Sequence, residues 1–221
     1  MKERIAIDGP AGAGKSTAAR RLAEKLSYLY IDTGAMYRAL TYYFLTQKVD
    51  FNCPEALKQS LEKIDLRFKV VDGASVILLN GKQYQEEIRS PIVNQYVSPV
   101  ARLVEVRQYL KKKQQELARS TASVTEGRDI GTVILPDADL KIYLTARPEI
   151  RAQRRWKELI EKGVDISFSD VLRNVLERDN IDSTRASAPL QPADGALIVD
   201  TSEMNIDEVV NFLYQKAVED E

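Results

Sequence analysis

A glycine-rich run near the start of the chain is the segment best suited to chemistry. It reads Gly9-Pro10-Ala11-Gly12-Ala13-Gly14-Lys15-Ser16 and is followed by Thr17. In the matching pattern G-x-x-x-x-G-K-[ST], loop N–H groups point at phosphate oxygens, the lysine reaches the β- and γ-phosphates, and the serine ligates Mg²⁺. A chance glycine-rich turn is disfavoured because a strand-like run precedes the loop and a helix-like run follows it. Residues 9–17 are therefore predicted to bind a nucleoside triphosphate, with Lys15 as a catalytic cation and Ser16 as a magnesium ligand.

Two later segments place charged and hydroxyl groups just after strand-like runs. The first is Asp32-Thr33-Gly34-Ala35-Met36-Tyr37-Arg38, and the second is Thr125-Glu126-Gly127-Arg128-Asp129. Open α/β sheets bind ligands at the carboxyl ends of their strands, so both segments are candidates for substrate contact. The alternatives are an ordinary helix cap at Asp32 or Thr33 and a structural ion pair between Arg128 and Asp129.

A charged triplet lies in the second half of the chain. Arg178, Asp182 and Arg185 are spaced by four and three residues, so they share one face if the segment is helical. They could contact a substrate together. A solvated charged face is the alternative.

The segment from Arg147 to Lys157 is strongly basic. It carries five positive charges and one negative charge, and Arg151 and Arg155 lie one helical turn apart. Such a cluster could close over a triphosphate and stabilise charge on the transferring phosphoryl group, as an arginine finger does. A solvated basic face and a nucleic-acid patch are the alternatives.

Strand-like and helix-like runs alternate along the chain and would position these segments. The predicted strands are residues 5–8, 28–31, 123–126, 140–145 and 196–200. The predicted helices are residues 15–26, 35–47, 100–119, 148–162, 168–179 and 206–218, the last with a capping box of Asn205 and Glu208. This alternation predicts a three-layer α/β fold with a mainly parallel five-stranded sheet covered by helices on both faces. The glycine-rich loop after the first strand makes this fold one of the P-loop type.

The stretch from Leu66 to Tyr84 breaks this alternation. It reads as three short strands joined by the tight-turn dipeptides Asp72-Gly73 and Asn80-Gly81. We predict a small antiparallel sheet inserted into the parallel core. A decorative insertion and a role on the substrate side both remain open.

The composition of the chain excludes several kinds of chemistry. None of its 221 residues is histidine, which excludes Ser-His-Asp and Cys-His triads and the common zinc sites. Cys53 is the single cysteine, which fits a reducing compartment. The net charge of −1 lacks the basic field of a dedicated nucleic-acid binder. With no apolar leader and no membrane-length run, we expect a soluble cytoplasmic protein.

Taken together, four segments resemble bacterial cytidylate kinases. They are residues 9–17, 32–38, 127–132 and 178–190. The stretch from Leu66 to Tyr84 also lies where those enzymes carry an extra segment in their monophosphate domain. The resemblance covers essentially the whole chain in order, with Thr33 where serine is usual and Glu126 where aspartate is common.

The resemblance implies a single P-loop kinase unit over residues 1–221. Its core would comprise residues 1–32, 120–147 and 186–221, and residues 33–119 would form the CMP-binding region, with a hairpin insertion at about 64–98. Residues 148–185 would form a helical lid and an adjoining helix. ATP with Mg²⁺ would be the donor and CMP or dCMP the acceptor, and the protein would be a monomer without nucleic-acid or membrane partners.

The resemblance also implies roles for individual residues. Thr33 and Arg38 would contact the monophosphate, and Ser98, Arg107 and Asp129 would read the cytosine base. The phosphate and sugar would be held by Arg128, Arg178, Asp182 and Arg185. Together with Lys15, the catalytic cations would be Arg128, Arg151 and Arg155.

The implied reaction suits a chain without histidine. The attacking oxygen of a phosphate monoester is already largely anionic at neutral pH, because its second pKa is about 6, so no general base is needed. Cytosine offers an N4 amino donor that Asp129 could accept, whereas uracil presents an acceptor there. Another P-loop kinase acting on UMP, AMP or a metabolite is the main alternative. A nucleotide-responsive protein that contacts nucleic acid through the basic segment is the other.

Overall fold

The computed structural model describes residues 2–219 of the chain. Within this range eight strands lie at Arg4–Asp8 (β1), Leu29–Asp32 (β2), Leu66–Val71 (β3), Ala74–Leu79 (β4), Lys82–Gln83 (β5), Ser123–Glu126 (β6), Leu140–Thr145 (β7) and Leu197–Asp200 (β8). The same residues form eight α-helices at Lys15–Leu26 (α1), Thr33–Thr46 (α2), Pro54–Glu62 (α3), Pro91–Val100 (α4), Val104–Arg119 (α5), Pro148–Glu161 (α6), Phe168–Thr184 (α7) and Ile206–Val218 (α8). Two shorter helical turns lie at Glu87–Arg89 and Ile130–Ile134.

The five parallel strands predicted from the sequence are confirmed, in the order β2-β6-β1-β7-β8. β1 lies at the centre, where Ile5 pairs with Val124 on one side and with Leu140 on the other. Because all five strands run the same way, their carboxyl ends form one edge of the sheet. The glycine-rich loop after β1, the start of α2 after β2 and the loop after β6 therefore meet there.

The antiparallel hairpin predicted after residue 64 is present, and it belongs to the main sheet. β3 and β4 pair antiparallel from Leu66 opposite Leu79 to Val71 opposite Ala74, and β4 also pairs with β5. β4 then pairs with β2 through Tyr30 and Ala74, which makes one continuous sheet rather than a separate small one. The turn residues Asp72 and Asn80 have φ of 48° and 51°, as the two-residue hairpin turns require.

Two apolar cores lie on the two faces of the sheet, as the three-layer prediction requires. Successive residues of β1 point to opposite faces, so Ile5 and Ile7 join one core and Ala6 joins the other. The first core packs beneath α1 and α8 and includes Leu22 and Leu213. The second packs beneath the helices between β2 and β6, with Met36, Leu40, Phe44, Leu57 and Leu110 at its centre.

The predicted helices are confirmed, although some of their boundaries differ. The helix predicted at 100–119 begins at Val104, because α4 ends at Val100 and a turn separates the two. α3 and α4 were missed, since they are only nine and ten residues long and each begins at a proline. α7 continues to Thr184, five residues past its predicted end. The capping box at the start of α8 is confirmed, with Asn205 accepting from the Glu208 N–H.

α6 and α7 pack on each other around a small core of their own. Ala152, Val171 and Val175 form its centre, and Trp156 covers one side. The two helices form the part of the chain predicted as a lid. Among residues 2–219, no helix is both long and apolar enough to cross a membrane.

Candidate active site

One large cleft of about 820 Å³ opens at the carboxyl edge of the parallel strands. Residues of the glycine-rich loop and α1 line one end of it, including Gly12, Lys15 and Ser16. Residues from the starts of α2 and of the loop after β6 line its middle, and α7 contributes Arg178 and Asp182. The cleft therefore brings together the separate sequence segments that were selected for their chemistry.

The glycine-rich loop needs glycine at its first and fourth positions for steric reasons. Gly9 has φ of 145°, and a Cβ there would lie 1.9 Å from the carbonyl oxygen of Leu144. Gly12 has φ of 78°, and its Cβ would lie 2.9 Å from the carbonyl oxygen of Arg151. The loop therefore packs closely against β7 and α6, and a glycine-rich loop of this kind can direct its N–H groups at phosphate oxygens.

Lys15 is held in a conformation suited to an incoming anion. Its side chain is buried, and Nζ donates a 2.7 Å hydrogen bond to the carbonyl oxygen of Pro10 within the loop. Burial, followed by repulsion from Arg128, lowers the pKa of Lys15 to about 7. The neighbouring carboxylates only partly stabilise this buried ammonium, so it should attract a polyphosphate strongly.

Asp8 is a buried carboxylate beside the site that sequence reasoning missed. Its buried carboxylate accepts 2.8 Å hydrogen bonds from the backbone N–H groups of Ile130 and Gly131. It thereby ties the end of β1 to the loop that carries Arg128 and Asp129. Burial raises its pKa to about 6, although the two N–H groups act in the opposite direction. The signal in the sequence was a carboxylate ending an otherwise apolar strand.

We predict that Asp8 makes stability depend on pH between about 4 and 7. The folded protein keeps the Asp8 proton to higher pH than the unfolded chain does, so the contribution of Asp8 to the free energy of unfolding falls as pH rises through this window. Relative to Asp8→Asn, which cannot titrate, the wild-type protein should lose about 3 kcal/mol between these limits. Urea unfolding of both proteins across the window measures the difference.

Asp139→Asn is the matched control for this experiment. Asp139 also accepts from two backbone N–H groups, those of Glu3 and Arg4, but at the surface. The control gives the cost of weakening such a pair of hydrogen bonds without burial. A stability difference between wild type and Asp8→Asn that does not change with pH would contradict the prediction.

Glu126 and Thr33 connect β2 to the loop after β6. The Thr33 hydroxyl donates a 2.6 Å hydrogen bond to the carbonyl oxygen of Glu126, and the Tyr30 hydroxyl donates one of 2.6 Å to the Glu126 carboxylate. The Ser16 hydroxyl lies near that carboxylate and favours its charged form. Burial and the nearby Asp32 raise the pKa of Glu126. Thr33, a predicted site residue, is therefore hydrogen-bonded to Glu126, and Ser16 lies beside the same residue. The sequence analysis had noted Glu126 only as a departure from the usual aspartate.

Two of the three residues predicted to read a base, Arg107 and Asp129, form a buried ion pair. Arg107 Nη2 donates to Asp129 Oδ2, and Arg185 Nη2 lies 3.4 Å from Asp129 Oδ1. Ser98 accepts a long hydrogen bond of 3.4 Å from Arg178 Nε. Two arginines orient the Asp129 carboxylate, and both Asp129 and Ser98 line the cleft. Arg107 contacts Asp129 but does not line the cleft, and Ser98 contacts Arg178 rather than this pair.

Arg128 and Arg178 give the cleft an excess of positive charge. Arg128 Nε donates a 2.9 Å hydrogen bond to the buried carboxylate of Asp182. Burial, followed by repulsion from Arg128, lowers the pKa of Arg178 to about 10. Two guanidinium groups that repel each other in a buried cleft indicate a site for an anion.

Arg38 pairs with a buried carboxylate at the start of α2. Its Nη2 donates a 2.8 Å hydrogen bond to Asp32 Oδ2, while Asp32 Oδ1 accepts from the Ala35 N–H as a helix cap. Asp32 therefore forms the predicted cap and also an ion pair. Burial opposes ionisation of Asp32, but Arg38 and Arg89 outweigh it, so the pKa of Asp32 is lowered.

The arginines of α6 lie in three different environments. Arg151 is buried, and its guanidinium donates to both oxygens of Asp179 at 3.0 and 2.6 Å and to the carbonyl oxygen of Ala11 at 3.0 Å. It connects the glycine-rich loop to α7. Arg154 donates to Thr201, and Arg155 lines the cleft while pairing with Glu158 at 3.0 Å. The catalytic roles expected for Arg151 and Arg155 stay predictions.

Comparison with known proteins shows the family to which the chain belongs. A family profile described as cytidylate kinase matches residues 5–219. A cytidylate kinase of Carboxydothermus hydrogenoformans is 49% identical over 94% of this chain and 93% of its own length. One from Shouchella clausii is 50% identical over 93% of this chain and 92% of its own. A crystal structure of an uncharacterised protein from Eubacterium ventriosum, 13% identical over 98% of each chain with a TM-score of 0.50, is similar in fold alone.

Both measures of sequence similarity extend over nearly the whole chain. The matched region contains the glycine-rich loop, the Asp32–Arg38 segment, the loop after β6 and α7. The resemblance noted from the sequence is therefore confirmed, and the chain belongs to the cytidylate kinase family.

Proposed function

We propose that the protein transfers the γ-phosphoryl group of ATP to CMP or dCMP, giving ADP and CDP or dCDP. The observation that carries this proposal is a single cleft with a phosphate-binding loop at one end and the Asp129 cluster with its arginines beside it. Membership of the cytidylate kinase family supports the same acceptor. The main alternative, a kinase for UMP, AMP or a metabolite, is not favoured by these findings.

The chemistry asks the protein to position two anions and to stabilise charge. The acceptor oxygen is already anionic, so a chain without histidine can catalyse its attack on the γ-phosphorus. The leaving group is ADP, and no proton has to be moved first. Lys15 would contact the β- and γ-phosphates, and Arg128 would contact the acceptor phosphate, where both neutralise charge as the phosphoryl group moves.

The side chains beside the glycine-rich loop fit a magnesium ion accompanying ATP. Ser16 and Glu126 offer a hydroxyl and a carboxylate close together, and Mg²⁺ prefers such oxygen ligands. Within residues 2–219 no group of three or more acidic or cysteine side chains could hold a metal by itself. This suits Mg²⁺, which commonly uses one or two protein ligands together with substrate phosphates. When bound, the ion would neutralise charge on the β- and γ-phosphates.

We further propose that the chain works as one kinase unit with moving parts. Residues 1–32, 120–147 and 186–221 would form the core, residues 33–119 the CMP-binding region, and residues 148–185 a lid. The separate small core between α6 and α7 supports a lid that moves as a body. Closure would exclude water, which would otherwise hydrolyse ATP. We also propose that the protein is a cytoplasmic monomer. Its balanced charge argues against nucleic-acid partners, and its single cysteine suits the reducing cytoplasm.

A substrate panel tests the proposed reaction directly. ADP release is measured with ATP and Mg²⁺ in the presence of CMP, dCMP, UMP, AMP or GMP. We expect kcat/KM to be highest for CMP or dCMP, by about 100-fold or more over UMP, since the buried Asp129 would face an acceptor on uracil. Faster turnover of UMP, AMP or GMP would replace the proposal with the alternative kinase activity.

A further inference from the structure

Arg89 is an arginine of the cleft that neither the sequence analysis nor the family resemblance singled out. It ends the short helical turn Glu87–Arg89, which lies within the predicted insertion between the hairpin strands and α4. Its side chain is 48% exposed and lines the same cleft as Arg38 and Lys15. It is thus an available cation at the junction between the insertion and the site.

Arg89 and Arg38 converge on one carboxylate oxygen. Arg38 Nη2 lies 2.8 Å and Arg89 Nη2 lies 3.3 Å from Asp32 Oδ2. Two guanidinium groups therefore lie side by side at the start of α2, although they repel each other. Asp32 can hold them there because its own position is fixed by the hydrogen bond from the Ala35 N–H.

The charges at this point are incompletely matched. Two arginines face one carboxylate, so the group carries a net positive charge and opens onto the cleft. Arg38 Nε is buried and makes no hydrogen bond within the described residues. Each guanidinium has five N–H donors, and Asp32 uses only one from each in these contacts. A dianionic phosphate is the ligand that would use the remaining donors best.

We propose that Arg89 binds the phosphate of the acceptor nucleoside monophosphate together with Arg38. Asp32 keeps the two guanidinium groups adjacent before the substrate arrives, and the phosphate then completes their hydrogen bonds. This gives the hairpin insertion a role on the substrate side, because its last turn supplies one of the two arginines. The proposal rests on the proposed function, since it specifies how the acceptor is held.

The experiment compares Arg89→Gln and Arg89→Lys with wild type and with Arg67→Gln. Arg67 is the matched control, because it is an arginine of the same insertion that pairs with an aspartate, Asp65, at 2.8 Å away from the cleft. The steady-state KM is measured for CMP and for ATP. Calorimetry then measures binding of CMP and of cytidine, which lacks the phosphate.

For Arg89→Gln we expect the KM for CMP to rise about 10- to 100-fold, with the KM for ATP unchanged. Affinity for CMP should fall while affinity for cytidine stays within about twofold, and Arg89→Lys should lie between the two. Arg67→Gln should behave as wild type. An unchanged KM for CMP, or an equal loss for CMP and cytidine, would mean that Arg89 only supports Asp32. Wild type that fails to phosphorylate CMP would instead refute the proposed function.

Discussion

Replacing Lys15 by alanine is expected to lower kcat at least about 1,000-fold while leaving the fold intact. Lys15 Nζ lies in the loop that would cradle the triphosphate. It is the cation best placed to stabilise the negative charge that moves onto the β-phosphate oxygens. Losing one preorganised hydrogen-bond donor lowers kcat roughly 100- to 1,000-fold in other enzymes. Losing a full positive charge from a buried site should have an effect at the upper end of that range.

The fold should tolerate this substitution because the ammonium is not favourably buried. Burial and repulsion from Arg128 depress the pKa of Lys15, so the folded state disfavours its charged form. Alanine removes that cost, and the melting temperature should stay equal or rise. The measurement combines coupled ADP release with thermal unfolding.

Lys25→Ala is the matched control for Lys15→Ala. Lys25 lies on the same helix, but its Nζ contacts Asn211 at 2.8 Å and the Tyr214 ring at the surface. We expect nearly normal turnover from this variant. Turnover within tenfold of wild type for Lys15→Ala would refute the role of Lys15 and weaken the proposed reaction with it.

The second large effect is expected for Asp129→Asn, which should lose most of the preference for CMP over UMP. Asp129 offers only acceptors to a base, which matches the N4 amino group of cytosine and opposes the O4 acceptor of uracil. The asparagine amide can turn its NH₂ toward O4, so the ratio of kcat/KM for CMP to that for UMP should fall about 100-fold or more. Steady-state kinetics with both acceptors measures this ratio, which does not depend on the fraction of active enzyme.

The same substitution should destabilise the protein by about 3 kcal/mol or more. Arg107 and Arg185 both contact Asp129 in a buried cluster, and removing one partner of a buried ion pair leaves a charge uncompensated. Asp137→Asn is the matched control, since Asp137 also contacts two arginines, Arg4 and Arg119, but at the surface. An unchanged CMP to UMP ratio in Asp129→Asn would show that Asp129 does not read the base.

The local features of the chain could be predicted because they depend on neighbouring residues. The glycine-rich loop, the hairpin turns at Asp72 and Asn80 and the capping box at Asn205 each follow from backbone preferences over a few positions. The five parallel strands were predicted because a strand buried on both faces has a continuous apolar run. The short helices α3 and α4 were missed although both are amphipathic, because nine or ten residues give few repeats of the pattern.

The partners of the charged side chains could not be predicted, because they come from distant parts of the sequence. Asp8 contacts N–H groups more than a hundred residues away, and Arg89 reaches Asp32 across the whole insertion. A basic run such as that of α6 also gives no indication that Arg151 is buried against Asp179 while Arg155 lines the cleft. Such assignments depend on how α6 and α7 pack.

The sequence by itself determined the class of fold, the phosphate-binding loop and the absence of a histidine base, since these follow from residue types and short spacings. Only the tertiary structure decided which arginine faces which carboxylate, because strand order and helix packing bring those groups together. It also showed that the insertion continues the main sheet through Tyr30 and Ala74 and ends at Arg89 in the cleft. Burial then sets the pKa of Asp8 and Lys15, since desolvation depends on atoms that the chain contributes from many separate segments.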